Sequence, residues 1–327
     1  MNILVANNHL ERTGGTENYT YTIITELLRL GHSVEYFTFH KGDVSDKIES
    51  LGVKFKSKNR YDLILANHAT TVEALYRYGC IIQTCHGVMP QLEQPSQFAD
   101  YHISISYEVQ QHLKKEKVES IIINNSIDCS RFHSENKIND SLTSVLSLCQ
   151  SEEANNFISE CCKDLGVTFT KLNKHIDNSW YVEKSINSAD LIVGIGRSLY
   201  DAMACGRAVI SYDNRDYSMD FGDGYLNKDN IMQSLKYNCS GRGTNKTFTK
   251  ESFIQELKKY NKSDGVYMRE FALENLNIEV NIIKYLNIFS ISQLRKIKRR
   301  KRFFLIFFSL KEMIVSNLRI LKKLAGR

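Results

Sequence analysis

Residues 189–211 contain the side chains and turns best suited to chemistry in this sequence. A short apolar run at 191–193 predicts a buried strand, and Gly194 and Gly196 predict a turn that leads into a helix. The first backbone N–H groups of a helix have no partner within it, and the positive end of the helix dipole lies at the same place. A glycine turn that opens a helix is therefore a potential binding site for phosphate.

Polar side chains follow in the first turns of this helix. The helix is expected to begin near Arg197 or Ser198, and the guanidinium of Arg197 can hold phosphate through two parallel hydrogen bonds. Asp201 stands one turn further on, where its carboxylate could hold a sugar hydroxyl. The segment is therefore a candidate site for a nucleotide or a nucleotide sugar.

The elements that must position this site alternate between strand and helix. Apolar runs predict strands, and apolar residues spaced three and four apart predict helices. Strands that alternate with helices at this spacing form a parallel, doubly wound sheet, whose ligands bind at the carboxyl ends of the strands. In the first 130 or so residues the expected strands are 2–7, 34–39, 61–66, 80–85, 102–106 and 119–123, and the expected helices are 17–30, one from about 71, and 107–113.

The alternation resumes after a polar stretch at 134–143, which we interpret as a linker. We therefore expect an α/β protein with two doubly wound, Rossmann-like domains that face a cleft. The predicted domains are 1–137 and 138–290, and a tail follows at 291–327. In the second domain the expected strands are 145–148, 167–170, 191–193 and 208–211, the expected helices are 157–165, one from about 197, 250–260 and 266–289, and 213–249 is expected to be loop-rich.

Composition is that of a folded protein without a membrane span. At 327 residues the chain is long enough for two domains, and no stretch approaches the roughly 20 apolar residues of a spanning helix. Because the sequence starts directly with an expected strand, we expect no signal peptide. Its eight cysteines are scattered and include no C-x-x-C pair, which favours buried, reduced thiols over metal ligands and predicts a cytoplasmic protein.

Positive charge is concentrated at the end of the chain. The net charge is +6, but residues 295–327 hold twelve Lys and Arg and one Glu, so the rest carries about −5. That balance argues against a surface that binds nucleic acid. On a helix, Phe303 and Phe307 share one face with further apolar residues, so 295–324 predicts a basic amphipathic helix on an anionic membrane surface. The alternative is a helix that packs on the protein body or on a second copy.

Five motifs, taken in order, resemble the GT-B class of nucleotide-sugar glycosyltransferases, and in particular family 4, also called glycosyl transferases group 1. The resemblance extends to about residue 285. Each motif alone is weak, so the resemblance depends on their order and spacing. The motifs are Gly14-Gly15-Thr16-Glu17, Cys85-His86-Gly87, and the segments 105–109, 123–132 and 194–206.

The resemblance implies a function for several residues. Gly14 and Gly15 would let the backbone approach the donor diphosphate, because glycine has no Cβ in the way. His86 matches a histidine near the reacting carbon, and Asp201 stands where the family has the second glutamate of its E-x7-E pattern, which holds the ribose hydroxyls. Each position also has a purely structural interpretation: a tight turn, a hydrogen-bonded core histidine, and a carboxylate on a helix surface.

By the same resemblance, transfer would retain the anomeric configuration and need neither a metal nor a further cofactor, and no D-x-D motif occurs. The leaving group would be held by the Gly14–Gly15 turn, by the helix start from Gly194 to Ser198, and by Arg197.

The sequence departs from the family pattern at three places. Val193 stands at the first glutamate of the E-x7-E pattern, and Ser126 replaces a glycine. The segment 148–153 is acidic where the family has a basic pair that neutralises diphosphate, and a leaving diphosphate needs positive charge. Arg197 is the expected replacement; the weaker candidates are Lys171, Lys174 and Arg207.

These observations favour a cytoplasmic glycosyltransferase on the inner face of the cell membrane. It would move a sugar from a nucleoside-diphosphate donor to a hydroxyl of a glycan or lipid-linked acceptor. One alternative is a catalytically degenerate homologue that binds a sugar nucleotide or a partner transferase. Another is a sugar-nucleotide epimerase, which the membrane-directed tail disfavours.

Overall fold

A computed structural model describes residues 1–173, 180–215, 219–291 and 293 of the chain. The chain divides into two compact units, Met1–Ile282 and Ile283–Arg327; both sheets belong to the first unit, and the described part of the second is helical. The predicted basic amphipathic helix at 295–324 lies outside the described residues. In the part of the chain that is described, no helix is long and apolar enough to cross a membrane.

A parallel sheet forms the N-terminal half of the first unit. Its strands are β1 (Asn2–Ala6), β2 (Ser33–Phe37), β3 (Lys54–Phe55), β4 (Leu63–Ala66), β5 (Cys80–Cys85), β6 (Tyr101–Ser104) and β7 (Ser120–Ile122). They lie in the order β3-β2-β1-β4-β5-β6-β7, and every pair is parallel. The central strands are almost entirely buried because helices cover both faces, as in other parallel sheets. Those helices are α1 (Gly15–Arg29), α2 (Asp43–Ser50), α3 (Ala69–Leu75) and α4 (Tyr107–Lys115), with a short 3-10 turn at Gln91–Glu93.

A second sheet forms the C-terminal half. Its strands are β8 (Ser144–Ser147), β9 (Thr168–Lys171), β10 (Leu191–Gly194), β11 (Ala208–Arg215) and β12 (Met219–Leu226), in the order β12-β11-β10-β8-β9. All pairs are parallel except β11 with β12. The helices are α5 (Glu152–Asp164), α6 (Val182–Asn187), α7 (Arg197–Ala204), α8 (Ile231–Leu235), α9 (Lys250–Leu257) and α10 (Lys262–Asn275), and residues 278–291 are also helical. The prediction of two doubly wound α/β sheets is confirmed.

The polar stretch at 134–143 has no regular structure, but a carboxylate fixes its end. Asp190 accepts hydrogen bonds from the backbone N–H groups of Thr143 and Ser144, both at 3.0 Å, and from the Thr143 hydroxyl. These bonds hold the entrance to β8 beside the start of β10.

The expectation of a loop-rich region at 213–249 is wrong at its start. Strand β11 continues to Arg215, and β12 returns antiparallel to it. The sequence hides β12 because glycine and aspartate, which are rare in strands, make up half of it. Glycine is required there: a Cβ on Gly222 would lie 2.2 Å from the carbonyl oxygen of Ser211.

The helix expected at 266–289 is two helices. Their boundary lies where the backbone pairs with Ile127, which donates its N–H to Leu276 O at 2.8 Å and accepts from Ile278 N–H at 3.0 Å. Backbone groups that bond to another segment cannot bond along the helix, so α10 ends before this point.

Candidate functional site

The predicted site residues lie at the carboxyl edges of the two sheets. His86 directly follows β5, and Gly14 and Gly15 stand at the start of α1, after β1. In the C-terminal half, Gly194 ends β10, and Gly196 precedes the first residue of α7. Because all parallel strands of one sheet end at the same edge, these positions fall where open α/β sheets bind their ligands.

Arg197 connects the two halves at this edge. Its Nη1 donates to the carbonyl oxygen of Ser126 at 3.0 Å, and its Nη2 lies 3.5 Å from Oγ1 of Thr22 on α1. Its side chain is only 10 % exposed. Burial lowers the pKa of Arg197, but an arginine stays charged at neutral pH because its ordinary value is so high. A positive charge is therefore held between α1 and α7.

Asp201 faces this charge one turn along α7. Its Oδ1 lies 3.8 Å from Nε of Arg197, which is too long for a hydrogen bond, and neither atom has a hydrogen-bond partner within the described ranges. Burial raises the pKa of Asp201 to about 6, although the charge of Arg197 acts in the opposite direction. An unpaired donor and an unpaired acceptor side by side are suited to a hydroxyl group, which can accept from one and donate to the other.

The start of α7 is shaped by Gly196. Its φ is +59°, a conformation that glycine adopts without strain, and its N–H donates to Cys239 O at 3.3 Å. A Cβ here would also approach the side chain of Asn238 to 3.1 Å. No acidic residue lies in the first turn, which contains the partly exposed Ser198. The helix dipole at this end is therefore not neutralised by a carboxylate in its first turn.

The start of α1 differs, because a carboxylate of the chain lies there. An added Cβ on Gly14 would lie 2.2 Å from Oε2 of Glu17, whereas Gly15 has open space around it. Glu17 is buried and pairs with His9, whose Nε2 lies 2.7 Å from its Oε1. Burial raises the pKa of Glu17, but the hydrogen bonds from His9 and from its own N–H outweigh this effect and lower it. The predicted phosphate position at the Gly14–Gly15 turn is thus lined by Glu17.

His86 is 9 % exposed and lies between the two halves. Its Nε2 is 3.1 Å from Oδ1 of Asn67, and the ring of Tyr19 packs edge-on at 5.0 Å. Burial, together with the neighbouring His68 and Arg197, lowers the pKa of His86 to about 3, although a hydrogen bond with the side chain of Asn125 acts in the opposite direction. His86 is therefore neutral at physiological pH.

The start of α5 is the place where the resemblance implies a basic pair. Ser151 caps this helix, and the carboxylate of Asp213 accepts from the N–H groups of Gln150 and Ser151 at 3.2 and 3.5 Å. Asp213 is itself paired with Nε of Arg215 at 2.6 Å. A carboxylate of the chain thus occupies this helix start, and sequence analysis did not single out either residue, since neither belongs to a recognisable motif.

Three further basic residues were weaker candidates to replace the basic pair that neutralises diphosphate in the family. Lys171 pairs with Glu152. Arg207 precedes β11, at the opposite edge of the sheet from Gly194, and donates to Asn136 O and Asn187 Oδ1 at 2.8 and 2.9 Å. It cannot reach an anion at the start of α7. Lys174 lies outside the described residues.

Two further contacts between the halves were not expected from the sequence. On α4, Glu108 accepts two hydrogen bonds of 2.7 Å from Arg242. Trp180 packs against Tyr21 of α1 at 4.9 Å between ring centroids, with Nζ of Lys47 4.8 Å above its ring. No local sequence pattern predicts either contact, because the partners are far apart in sequence. In the described ranges, no group of three or more His, Cys, Asp or Glu could hold a metal ion.

Comparison with known proteins identifies the fold. No protein-family model matches the sequence, and no curated protein matches it significantly. Among solved structures, a glycosyltransferase from Rickettsia africae ESF-5 is similar with a TM-score of 0.61 and 12 % identity, over 88 % of this chain and 97 % of that one.

An α-glucosyltransferase in complex with UDP and a 13-mer DNA containing a HMU base is similar with a TM-score of 0.52 and 11 % identity, over 89 % of this chain and 99 % of that one. An α-glucosyltransferase with UDP and a 13-mer DNA containing a central A:G mismatch has a TM-score of 0.50 and 10 % identity, over 88 % and 99 % of the two chains. The chain therefore has the GT-B fold that glycosyltransferases share, with two Rossmann-like sheets.

Proposed function

We propose that this protein is a glycosyltransferase that moves a sugar from a nucleoside-diphosphate sugar to a hydroxyl group, with retention of anomeric configuration and without a metal. The observation that carries the proposal is the pair Arg197 and Asp201. Both are at least nine-tenths buried at the start of α7, and each has an unpaired polar atom beside the other. Buried polar atoms without a partner cost free energy. A ligand hydroxyl that pairs with both atoms, or a phosphate oxygen that accepts from Arg197, would remove this cost.

The chemistry follows from the charges at the site. A departing diphosphate develops negative charge, which the start of α7 and the guanidinium of Arg197 would stabilise. Asp201 would accept a hydrogen bond from a ribose hydroxyl, and His86 would lie at the reacting centre as a neutral ring. The start of α5 would take no part, because Asp213 occupies it.

Binding of a sugar nucleotide without turnover is the second candidate, and Val193 favours it. This residue is fully buried in the hydrophobic core of the C-terminal half, so it offers no hydrogen bond to a sugar. A degenerate homologue would keep Arg197 and Asp201 for binding and lack the remainder of the machinery. Release of free nucleoside diphosphate by the purified protein distinguishes the two functions.

Donor binding can be tested with thermal shifts, because a ligand that binds the folded state raises the apparent Tm. A panel of UDP-, GDP-, ADP- and CDP-sugars identifies the nucleotide. We expect Arg197→Ala to weaken the affinity for that donor at least tenfold, the equivalent of about 1.4 kcal/mol or one charge-assisted hydrogen bond.

The matched control is Arg215→Met, which removes another arginine at the same edge of the sheet. Since Arg215 pairs with Asp213, we expect it to lower the Tm and to leave donor affinity within about twofold. Unchanged affinity in Arg197→Ala would contradict the proposed phosphate contact. Loss of affinity only in Arg215→Met would move that contact to the start of α5.

We also propose that the acceptor is a glycan or lipid-linked molecule at the cytoplasmic face of a membrane, on which the basic segment 295–324 holds the protein. Each basic residue near an anionic leaflet contributes about 1 kcal/mol. Removal of residues 303–327 is therefore expected to abolish sedimentation with vesicles that contain anionic lipid. Unmodified protein that stays in solution at low salt would contradict the membrane assignment.

A further inference from the structure

A run of buried hydrogen bonds connects His86 to the first turns of α1. Nε2 of His86 lies 3.1 Å from Oδ1 of Asn67, the residue that follows β4. Nδ2 of Asn67 donates to Oγ1 of Thr20 at 2.8 Å, and the Thr20 hydroxyl donates to the carbonyl oxygen of Thr16, also at 2.8 Å. Asn67 is 2 % exposed and Thr20 is fully buried. Water therefore does not compete for these bonds.

The hydroxyl hydrogen of Thr20 determines which atom donates and which accepts in each of these hydrogen bonds. Thr20 has one hydroxyl hydrogen, which the Thr16 carbonyl accepts, so its oxygen must accept from Asn67 and from Nδ2 of Asn7, which lies 2.9 Å away. Asn67 therefore presents its amino group to Thr20 and its oxygen to the ring of His86. An amide oxygen only accepts hydrogen bonds, so Nε2 of His86 must carry the hydrogen.

The position of this hydrogen decides what His86 can do. A neutral imidazole carries one ring hydrogen, and His86 is neutral at physiological pH because burial depresses its pKa to about 3. The side chain of Asn125 also lies within hydrogen-bonding reach of the ring. With the hydrogen on Nε2, the lone pair is on Nδ1. It can accept a hydrogen bond from a hydroxyl, and it has no proton to give.

We propose that Asn67 is a positioning residue, which holds His86 so that Nδ1 accepts a hydrogen bond from a substrate hydroxyl. This rests on the proposed function, because it assumes that the His86 ring contacts the substrate. Asn67 acts only through His86, in the way that outer partners of a functional histidine select its tautomer. A substrate that presents a carboxylate at this point is disfavoured, since a carboxylate and Nδ1 both only accept.

Nitrogen NMR of the full-length protein labelled with 15N-histidine tests the tautomer directly, because a protonated and an unprotonated ring nitrogen have different shifts. His86→Gln identifies the His86 signals among the nine histidines of the chain. We expect the hydrogen on Nε2, and a mixture of tautomers in Asn67→Ala and in the nearly isosteric Thr20→Val. A hydrogen on Nδ1 in the unmodified protein overturns the proposal, as does a tautomer that neither variant changes.

Asn67→Asp provides a second test in a variant of the same shape. The new carboxylate still accepts from Nε2, so we expect the same tautomer and a higher pKa of His86, against the opposing effects of His68 and Arg197. Asn59→Asp adds the same charge at an exposed position and is the control. A His86 titration that responds equally to both variants overturns the proposal.

Kinetics separate the positioning role from the function on which it rests. With the donor identified by thermal shift, we expect Thr20→Val to lower kcat/KM about tenfold, the worth of one hydrogen bond, at temperatures well below its Tm. Full kcat/KM in both Thr20→Val and Asn67→Ala overturns the positioning role. If the unmodified protein transfers no sugar although the tautomer is as expected, the proposed glycosyl transfer fails and the effect of Asn67 on His86 stands.

Discussion

At the scale of single residues, burial sets the chemistry that each ionisable group can perform. His86 and His68 are both buried and both have depressed pKa values, so neither is charged at neutral pH. Arg197 keeps its charge under the same conditions, because an arginine is protonated far above neutral pH. The site therefore combines a fixed positive charge with neutral rings that accept hydrogen bonds. This combination favours binding and orientation over proton transfer.

His68 provides a test of this burial through the dependence of stability on pH. Its pKa is lowered from 6.5 to about 4, chiefly by burial, so the unfolded chain binds a proton before the folded one. Its contribution to stability is therefore complete above pH 6.5 and is lost as the pH falls towards 4, a change of about 3 kcal/mol.

We expect His68→Asn, which keeps an acceptor for the N–H of Asn8, to reduce the difference in the free energy of unfolding between pH 7 and pH 4 by about that amount. Urea unfolding at the two pH values measures it. The control is His40→Asn, which makes the same substitution at an exposed position. An equal pH dependence in His68→Asn and the unmodified protein would show that His68 is not buried as a neutral ring.

At the scale of elements, the starts of α1, α5 and α7 lie at the carboxyl edges of strands, and those of α1 and α5 already hold a carboxylate. Glu17 lies against Gly14 at the start of α1, and Asp213 bonds to the N–H groups at the start of α5. The start of α7 has no acidic residue in its first turn and no side-chain cap. A phosphate finds unneutralised N–H groups and a positive dipole at α7. For this reason we propose that the diphosphate binds there, with Arg197.

At the scale of the first unit, contacts between the two halves lie at both ends of the seven-stranded sheet as well as at its centre. Arg242 pairs with Glu108 on α4, beside β6, while Lys47 on α2, beside β2, covers the ring of Trp180. Arg197 reaches Thr22 between them. We expect these contacts to determine how closely the two carboxyl edges approach each other.

Trp180 is the one tryptophan in the sequence, so its fluorescence reports on this approach. We expect Arg242→Ala to lower the free energy of unfolding by about 1–2 kcal/mol, because it removes a bidentate, partly buried ion pair. The emission of Trp180 should also shift to the red, since halves held less tightly leave its ring more exposed to water. Fluorescence and urea unfolding provide the two measurements.

Arg29→Ala is the matched control for that experiment, because Arg29 pairs chiefly with Glu26 on its own helix. We expect it to leave the emission of Trp180 unchanged. If Arg242→Ala also leaves the emission unchanged, the pair of Arg242 with Glu108 does not control the distance between the halves.

The sequence by itself determined the alternation of strands and helices and the place of the candidate site residues on it. Apolar runs, helix periodicity and glycine turns are local signals, so they placed His86 after β5 and Gly194–Gly196 between β10 and α7 without knowledge of any distant contact. The same signals failed at β12, whose glycines and aspartates depend on the neighbouring β11. A strand stabilised by its partner leaves little trace in its own residues.

Only the tertiary structure decided which side chains meet. Arg197 and Thr22 are 175 residues apart in sequence, and Asn67 and Thr20 are 47 apart. No local pattern encodes such pairs, because they arise when the carboxyl edges of separate strands pack together. The same packing placed Asp213 at the start of α5 and left the first turn of α7 without a carboxylate. The sequence could predict a phosphate-binding turn, but the burial and pairing of its side chains come from residues brought together by the fold.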